Sequence, residues 1–111
     1  MNMHDECPLV DSENGLGDIL KANDRVVALF YASWCPFSVK ILPKFKSYAE
    51  DGPQGFLLVK DDQETMADKY SIEVYPTLIL FEKGAIAKRL DGALGIGLQE
   101  ERLADFISSC S

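Results

Sequence analysis

Phe30-Tyr31-Ala32-Ser33-Trp34-Cys35-Pro36-Phe37-Ser38 is the stretch on which the reading of this chain turns. It closes a continuous apolar and aromatic run, Arg25-Val-Val-Ala-Leu-Phe-Tyr31, whose composition suits a central strand buried on both faces. After Trp34-Cys35 the pattern changes. Val39, Ile41, Leu42, Phe45 and Tyr48 recur at helical intervals to about Glu50, and Pro36 suits the first turn of a helix. Cys35 therefore stands where a buried strand hands over to a helix. The first helical turn presents unpaired N–H groups and the positive end of the helix dipole, and both favour a thiolate over a thiol. The thiolate is the nucleophile of disulfide exchange, so Cys35 is the candidate reactive group. Cys7 and Cys110, near the two ends, read as small buried hydrophobes instead.

Outward from this point, short elements alternate in type. A short strand is expected near Leu9-Val10. Asp11 and Ser12 are candidate caps for a helix to about Lys21, with Leu16, Ile19 and Leu20 on one face. Pro43 falls inside the helix that follows Cys35 and should kink it, and Asp51-Gly52-Pro53 should end it. Gly55 to Val59 reads as a second buried strand, Gln63 to Tyr70 as a short helix, and Thr77 to Phe81 as a third strand. Lys83-Gly84 turns the chain into an antiparallel strand from Ile86 to Leu90, and Leu98 to Ser108 forms a closing helix. The order (β)αβαβαββα predicts an α/β fold in three layers: a mixed sheet of four to five strands with helices on both faces.

The chain has 111 residues, enough for one domain with one core. Residues 1–10 read as a flexible N-terminal segment and 11–111 as the domain. Eighteen acidic residues against eleven basic ones give a net charge of −7, which repels phosphate backbones and argues against nucleic acid as a partner. No apolar run is long enough to cross a bilayer, so no membrane is expected. Three cysteines are too few for a secreted disulfide framework, and Met1 to Cys7 is too polar for a secretory signal; the expected location is cytoplasmic. His4 and Cys7 lack the further ligands a metal site needs, and Gly92-Ala-Leu-Gly95-Ile-Gly97 lacks the spacing and context of a dinucleotide fingerprint. No metal or cofactor is implied.

The motif around Cys35 resembles the thioredoxin pattern of strand, Trp, Cys-x-x-Cys and helix. Pro43 matches that family's proline eight residues after its first cysteine. Tyr75-Pro76-Thr77-Leu78 resembles its cis-proline loop, Phe81-Glu82-Lys83-Gly84 its hairpin, and Asp91-Gly92-Ala93-Leu94 its last glycine stretch. The five pieces occur in order over about residues 15–108. The resemblance implies a thioredoxin-like fold and a thiol–disulfide oxidoreductase that reduces protein disulfides. Cys35 would form a mixed disulfide with the substrate, and Trp34 would wall the site. Pro76, cis after Tyr75, would leave the Tyr75 backbone free to pair with an extended substrate segment. Pro36, Phe37 and Gly92 would complete the substrate surface. Protein disulfides are the implied substrates, a thioredoxin-reductase-like protein or a small thiol the electron donor, and a monomer the expected state.

The sequence departs from that pattern in two places. Ser38 occupies the position of the resolving cysteine, and a hydroxyl cannot release a mixed disulfide by closing an internal bridge. Ser38 is either a replaced cysteine or the mark of a natural monothiol. The Trp-Cys-Pro-Phe-Ser stretch also resembles a thioredoxin-like domain found in plant relatives of adenylylsulfate reductase. Six residues before Cys35, where the family carries a buried carboxylate, stands Leu29, and Leu57 or Leu58 replaces the lysine paired with it. Both charges are missing together, which leaves neither one buried alone. Cys-Pro-Phe-Ser also resembles glutaredoxin motifs. Val74-Tyr75-Pro76 and Asp91-Gly92 differ from the Thr-Val-Pro and Gly-Gly-x-Asp segments with which glutaredoxins bind glutathione, so a glutathione-dependent, glutaredoxin-like monothiol protein stands as an alternative reading rather than the leading one. The remaining alternative to a redox enzyme is a binding module that holds thiol-bearing or extended peptides against Pro76.

Overall fold

The computed structural model describes residues 8–51, 55–93 and 97–110. His4, Cys7, the Gly52-Pro53 stop and residues 94–96 lie outside them, as does most of the segment expected to be flexible. The elements follow in the order β1 (Leu9–Val10), α1 (Glu13–Ala22), β2 (Arg25–Tyr31), α2 (Pro36–Asp51), β3 (Phe56–Lys60), α3 (Ala67–Tyr70), β4 (Thr77–Glu82), β5 (Ala85–Asp91) and α4 (Glu100–Ser109). This is the alternation expected from the sequence, and the strands form one five-stranded sheet in the order β1-β3-β2-β4-β5. Leu9 and Val10 pair in parallel with Leu58 and Val59, so these two residues of the segment expected to be flexible belong to the sheet.

β2 is central because every residue from Val26 to Tyr31 is buried. It runs parallel to β3 and antiparallel to β4. Alternate residues along it serve opposite faces. Val26, Ala28 and Phe30 pack with Leu16 of α1 and with Met66 and Ala67 at the start of α3. Val27, Leu29 and Tyr31 pack with Ile41 and Phe45 of α2 and with Leu103 and Phe106 of α4. Helices thus cover both faces, giving the three layers. Fully buried side chains such as Phe30, Phe45 and Phe81 each stabilise the fold by roughly 1.5–3 kcal/mol relative to exposure.

Ser12 caps α1 through its hydroxyl, which accepts from the Gly15 N–H at 3.0 Å. Pro43 sits within α2 on its exposed side, where the bond its missing N–H would have made to Val39 is lost toward solvent. β5 pairs with β4 at the open margin of the sheet, and its register slips by one residue between Leu80↔Lys88 and Phe81↔Ile86, leaving Ala87 as a bulge. Arg89 of that strand donates to both carboxylate oxygens of Asp91 and to the backbone carbonyls of Tyr70 and Ser71, tying β5 to the end of α3.

One element is shorter than expected. Instead of a helix from Gln63, residues 62–66 form turns and α3 spans only Ala67–Tyr70. The cause is Asp61, whose carboxylate accepts from the Met66 N–H at 3.1 and 3.2 Å and from the Thr65 hydroxyl at 3.2 Å. A side chain that captures those donors offers the backbone an alternative to helical bonding. Glu64 adopts a left-handed conformation with φ 59°, which also breaks the helical path.

Candidate active site

Cys35 lies one residue before α2. Its carbonyl accepts from the Ser38 and Val39 N–H groups at 3.0 and 3.1 Å, and so opens the helix. Its own N–H donates to the Ala32 carbonyl at 3.1 Å, folding residues 32–35 into a turn. The residue is largely covered, and its thiol donates to the Tyr75 carbonyl at 3.7 Å. Tyr75-Pro76 is a cis peptide bond, and both residues are buried. The helix N-terminus and the proline loop therefore meet across the thiol.

The Tyr75-Pro76 loop is held at three points. The Thr77 hydroxyl donates to the Val74 carbonyl at 2.7 Å, and the Gly92 N–H donates to the Pro76 carbonyl at 2.9 Å. The Tyr75 hydroxyl donates to Asp61 at 2.7 Å. Gly92 is needed where it stands, because a Cβ there would lie 2.5 Å from the Pro76 oxygen. It is buried and its N–H is engaged, so it supports the loop from behind.

Trp34 is 56% exposed and Phe37 38% exposed, and Pro36 lies between them at the surface. These form an apolar rim beside the thiol. Trp34 is more firmly fixed than a bare apolar wall would be. Its indole N–H donates to the Asp62 carbonyl at 2.8 Å, and its ring meets Tyr75 edge-on at 5.9 Å. The Asp62 carboxylate accepts from the N–H and hydroxyl of the preceding Ser33. Those bonds, first the hydroxyl and then the N–H, hold the Asp62 carboxyl below its usual value. Phe37 lies against Gly97, where a Cβ would come within 2.6 Å of the Phe37 Cβ.

Ser38 is fully buried, and its hydroxyl oxygen accepts from the Ala32 N–H at 3.4 Å. Leu29 lies directly opposite Leu58 in the β2–β3 register. Of the two leucines expected near the family's lysine position, Leu58 is the one paired with Leu29, and Leu57 packs on the opposite face. Leu29 belongs to the apolar layer under α2 and α4, whereas Cys35 packs with the residues of the opposite face. Among the described residues, Asp61 is the one buried acid, and no buried acid stands with Leu29 in the layer beneath α2.

Sequence reasoning missed Asp61 and Asp62. Asp61 is buried, and its carboxylate accepts from donors on Thr65, Met66 and Tyr75. A charged residue directly after the wholly apolar Phe56–Val59 and Lys60, together with a tyrosine hydroxyl before Pro76 in need of a partner, was the available signal. Among the described residues, no three His, Cys, Asp or Glu side chains converge as a metal site. Cys110 is buried at the end of α4; burial raises its thiol above the ordinary value, against smaller opposing effects of Lys88 and Arg25.

Tyr75 gives the site a signed dependence on pH. Burial, and then its bond to Asp61, push the Tyr75 hydroxyl well above the ordinary tyrosine value. A raised acid adds stability that is complete below the unfolded value of about 10 and is lost as the pH climbs toward the folded value. Denaturant midpoints should therefore fall above about pH 10 more steeply for the wild type than for Tyr75→Phe. A constant gap between the two proteins up to the highest workable pH would contradict this.

The thioredoxin family model matches residues 9–109, and the chain belongs to that family. It is 35% identical over 94 residues to thioredoxin Y2, chloroplastic, of Arabidopsis thaliana, covering 81% of this chain and 56% of that protein. It is 37% identical over 93 residues to endoplasmic reticulum resident protein 44 of Mus musculus, covering 76% of this chain and 23% of that one. The chain thus spans about half the length of the first relative and under a quarter of the second. Among solved structures, reduced Schistosoma mansoni thioredoxin pre-protein superposes with a TM-score of 0.80 at 28% identity, over 96% of this chain and 99% of that one. The fold is thioredoxin-like, and the family's chemistry is thiol–disulfide exchange.

Proposed function

We propose that this chain exchanges disulfides through Cys35 as a single reactive thiol, with Ser38 in the place of a resolving cysteine. The observation that carries this reading is the Cys35 sulfur at the mouth of α2, facing the Tyr75 carbonyl beside cis-Pro76 and flanked by exposed Trp34 and Phe37. An extended segment carrying a disulfide would lie along Tyr75 and against that rim. The Cys35 thiolate attacks one sulfur of the substrate disulfide; a new S–S bond forms, the old one breaks, and the departing sulfur takes up a proton. Cys35 is oxidised to the mixed disulfide while the departing sulfur is reduced to a thiol. Ser38 cannot attack the mixed disulfide, so a second thiol from outside must release it. A small thiol or a thioredoxin-reductase-like protein would supply those electrons. Sparse cysteines favour a reducing compartment such as the cytoplasm.

The test is adduct formation. Incubated with a peptide disulfide, the protein should gain the mass of one peptide half at Cys35 and hold it until dithiothreitol is added. Cys35→Ser should gain nothing. A wild-type protein that binds the peptide but forms no adduct would replace this reading with that of a non-redox peptide-binding module.

A further inference from the structure

Asp61 is a buried carboxylate that takes no part in the thiol chemistry, yet its bonds reach the reactive site through one residue. Its position is set by the chain: β3 ends at Lys60, and the Asp61 N–H donates to the Tyr31 carbonyl at 2.8 Å, which pins Asp61 beside the end of β2. From there the carboxylate gathers the Thr65 hydroxyl and the Met66 N–H on one side and the Tyr75 hydroxyl on the other. The last of these spans 14 residues of sequence and joins the β3–α3 loop to the proline loop.

We propose that Asp61 is a positioning residue for disulfide exchange, acting through the Tyr75 hydroxyl to hold the Tyr75 backbone over the Cys35 sulfur. Of the three anchors of the proline loop, the Thr77 hydroxyl fixes the Val74 carbonyl and the Gly92 N–H fixes the Pro76 carbonyl. Neither grips Tyr75 itself. The Tyr75 carbonyl points to Cys35, and its ring leans on Trp34, so the orientation of residue 75 governs both the ledge on which a substrate would lie and one wall beside it. The hydroxyl–carboxylate bond is the only polar tie on that ring among the described residues. It is charge-assisted and buried, which makes it stiff. Asp61 touches neither the sulfur nor the substrate.

This inference rests on the reading of Cys35 as the attacking thiol, and the experiment separates the two. Rates of mixed-disulfide formation with a peptide disulfide are compared with rates of alkylation by iodoacetamide, a small reagent that needs no ledge. The proteins are the wild type, Tyr75→Phe, Asp61→Asn and the double variant, with denaturant midpoints recorded for each. Tyr75→Phe keeps the ring and loses only the hydroxyl, so it serves even where Asp61→Asn folds poorly. Tyr75→Phe should slow the peptide reaction about tenfold while alkylation changes by less than about twofold. Asp61→Asn, which keeps a neutral bond to the hydroxyl, should slow it less. The double variant should be no slower than Tyr75→Phe alone, because both changes act on one contact, which Tyr75→Phe already removes. Peptide rates equal to wild type in Tyr75→Phe would overturn the proposal, as would effects that multiply in the double variant. Equal slowing of both reactions would also overturn it, since that marks general disturbance of the thiol. A wild-type protein inert to the peptide would instead remove the reading of Cys35 on which the proposal stands.

Discussion

Leu29→Asp is expected to lower the stability of the protein by about 4 kcal/mol at neutral pH, as the loss of a core leucine and the burial of an unpaired acid combine. Leu29 is fully buried in the middle of β2, with Leu58 opposite it on one side and Leu78 on the other. No basic residue stands at either neighbouring position, so the new carboxylate has no partner to offset its desolvation. Such burial raises the pKa of an acid, and the neutral form costs less than the charged one. The destabilisation should therefore be smaller near pH 4 than at pH 7. Denaturant midpoints of the variant and the wild type, measured at both pH values, decide the matter. A cost that does not grow with pH would mean that the side chain at 29 escapes to solvent. The variant also bears on kinetics. An acid in the layer beneath α2 could accept the proton of a thiol at position 38, and in a Ser38→Cys background it should speed release of the mixed disulfide near pH 7.

Ser38→Cys should raise the rate of insulin reduction, with dithiothreitol as reductant, by at least about 100-fold, because an internal thiol replaces one that must arrive from solution. Ser38 sits in the first turn of α2 and is bonded to the Ala32 N–H, so the introduced sulfur would be held close to Cys35. Mixed disulfides that persist with Ser38 should then fall below detection. Equal turnover by the two proteins would show that release never depended on this position.

The order of elements and the place of Cys35 were legible because they depend on local pattern. A run with no charged break from Val26 to Tyr31 has one stable setting, the middle of a sheet, and the helical spacing after Pro36 marks out α2. Pro76 and Gly92 were legible only through resemblance, and the reason for Gly92 emerged from space: the Pro76 carbonyl leaves no room for a Cβ. The Asp61 carboxylate left only a faint signal, a charge just after an apolar strand and a tyrosine hydroxyl before Pro76 in need of a partner. Its partners lie four, five and fourteen residues away, with no periodicity to betray them, and it replaced an expected helix start with turns. The layer to which Leu29 belongs was open to alternation along β2. The opposite packing of Cys35 was not, because the turn at 32–35 breaks that alternation.

The bulge at Ala87 bears on how the sheet meets other copies of itself in a crowded solution. A strand that joined the outer margin of β5 would need an even ladder of donors and acceptors. Ala87 interrupts that spacing, and Lys88 and Arg89 come directly after it as two adjacent cations. An irregular, charged margin is a poor template for edge-to-edge growth, and Arg89 is further drawn back toward α3 by its bonds to Tyr70 and Ser71. Straightening this margin, by deleting Ala87 and neutralising Lys88, would trade a ragged border for a continuous one and so invite fibrillar stacking.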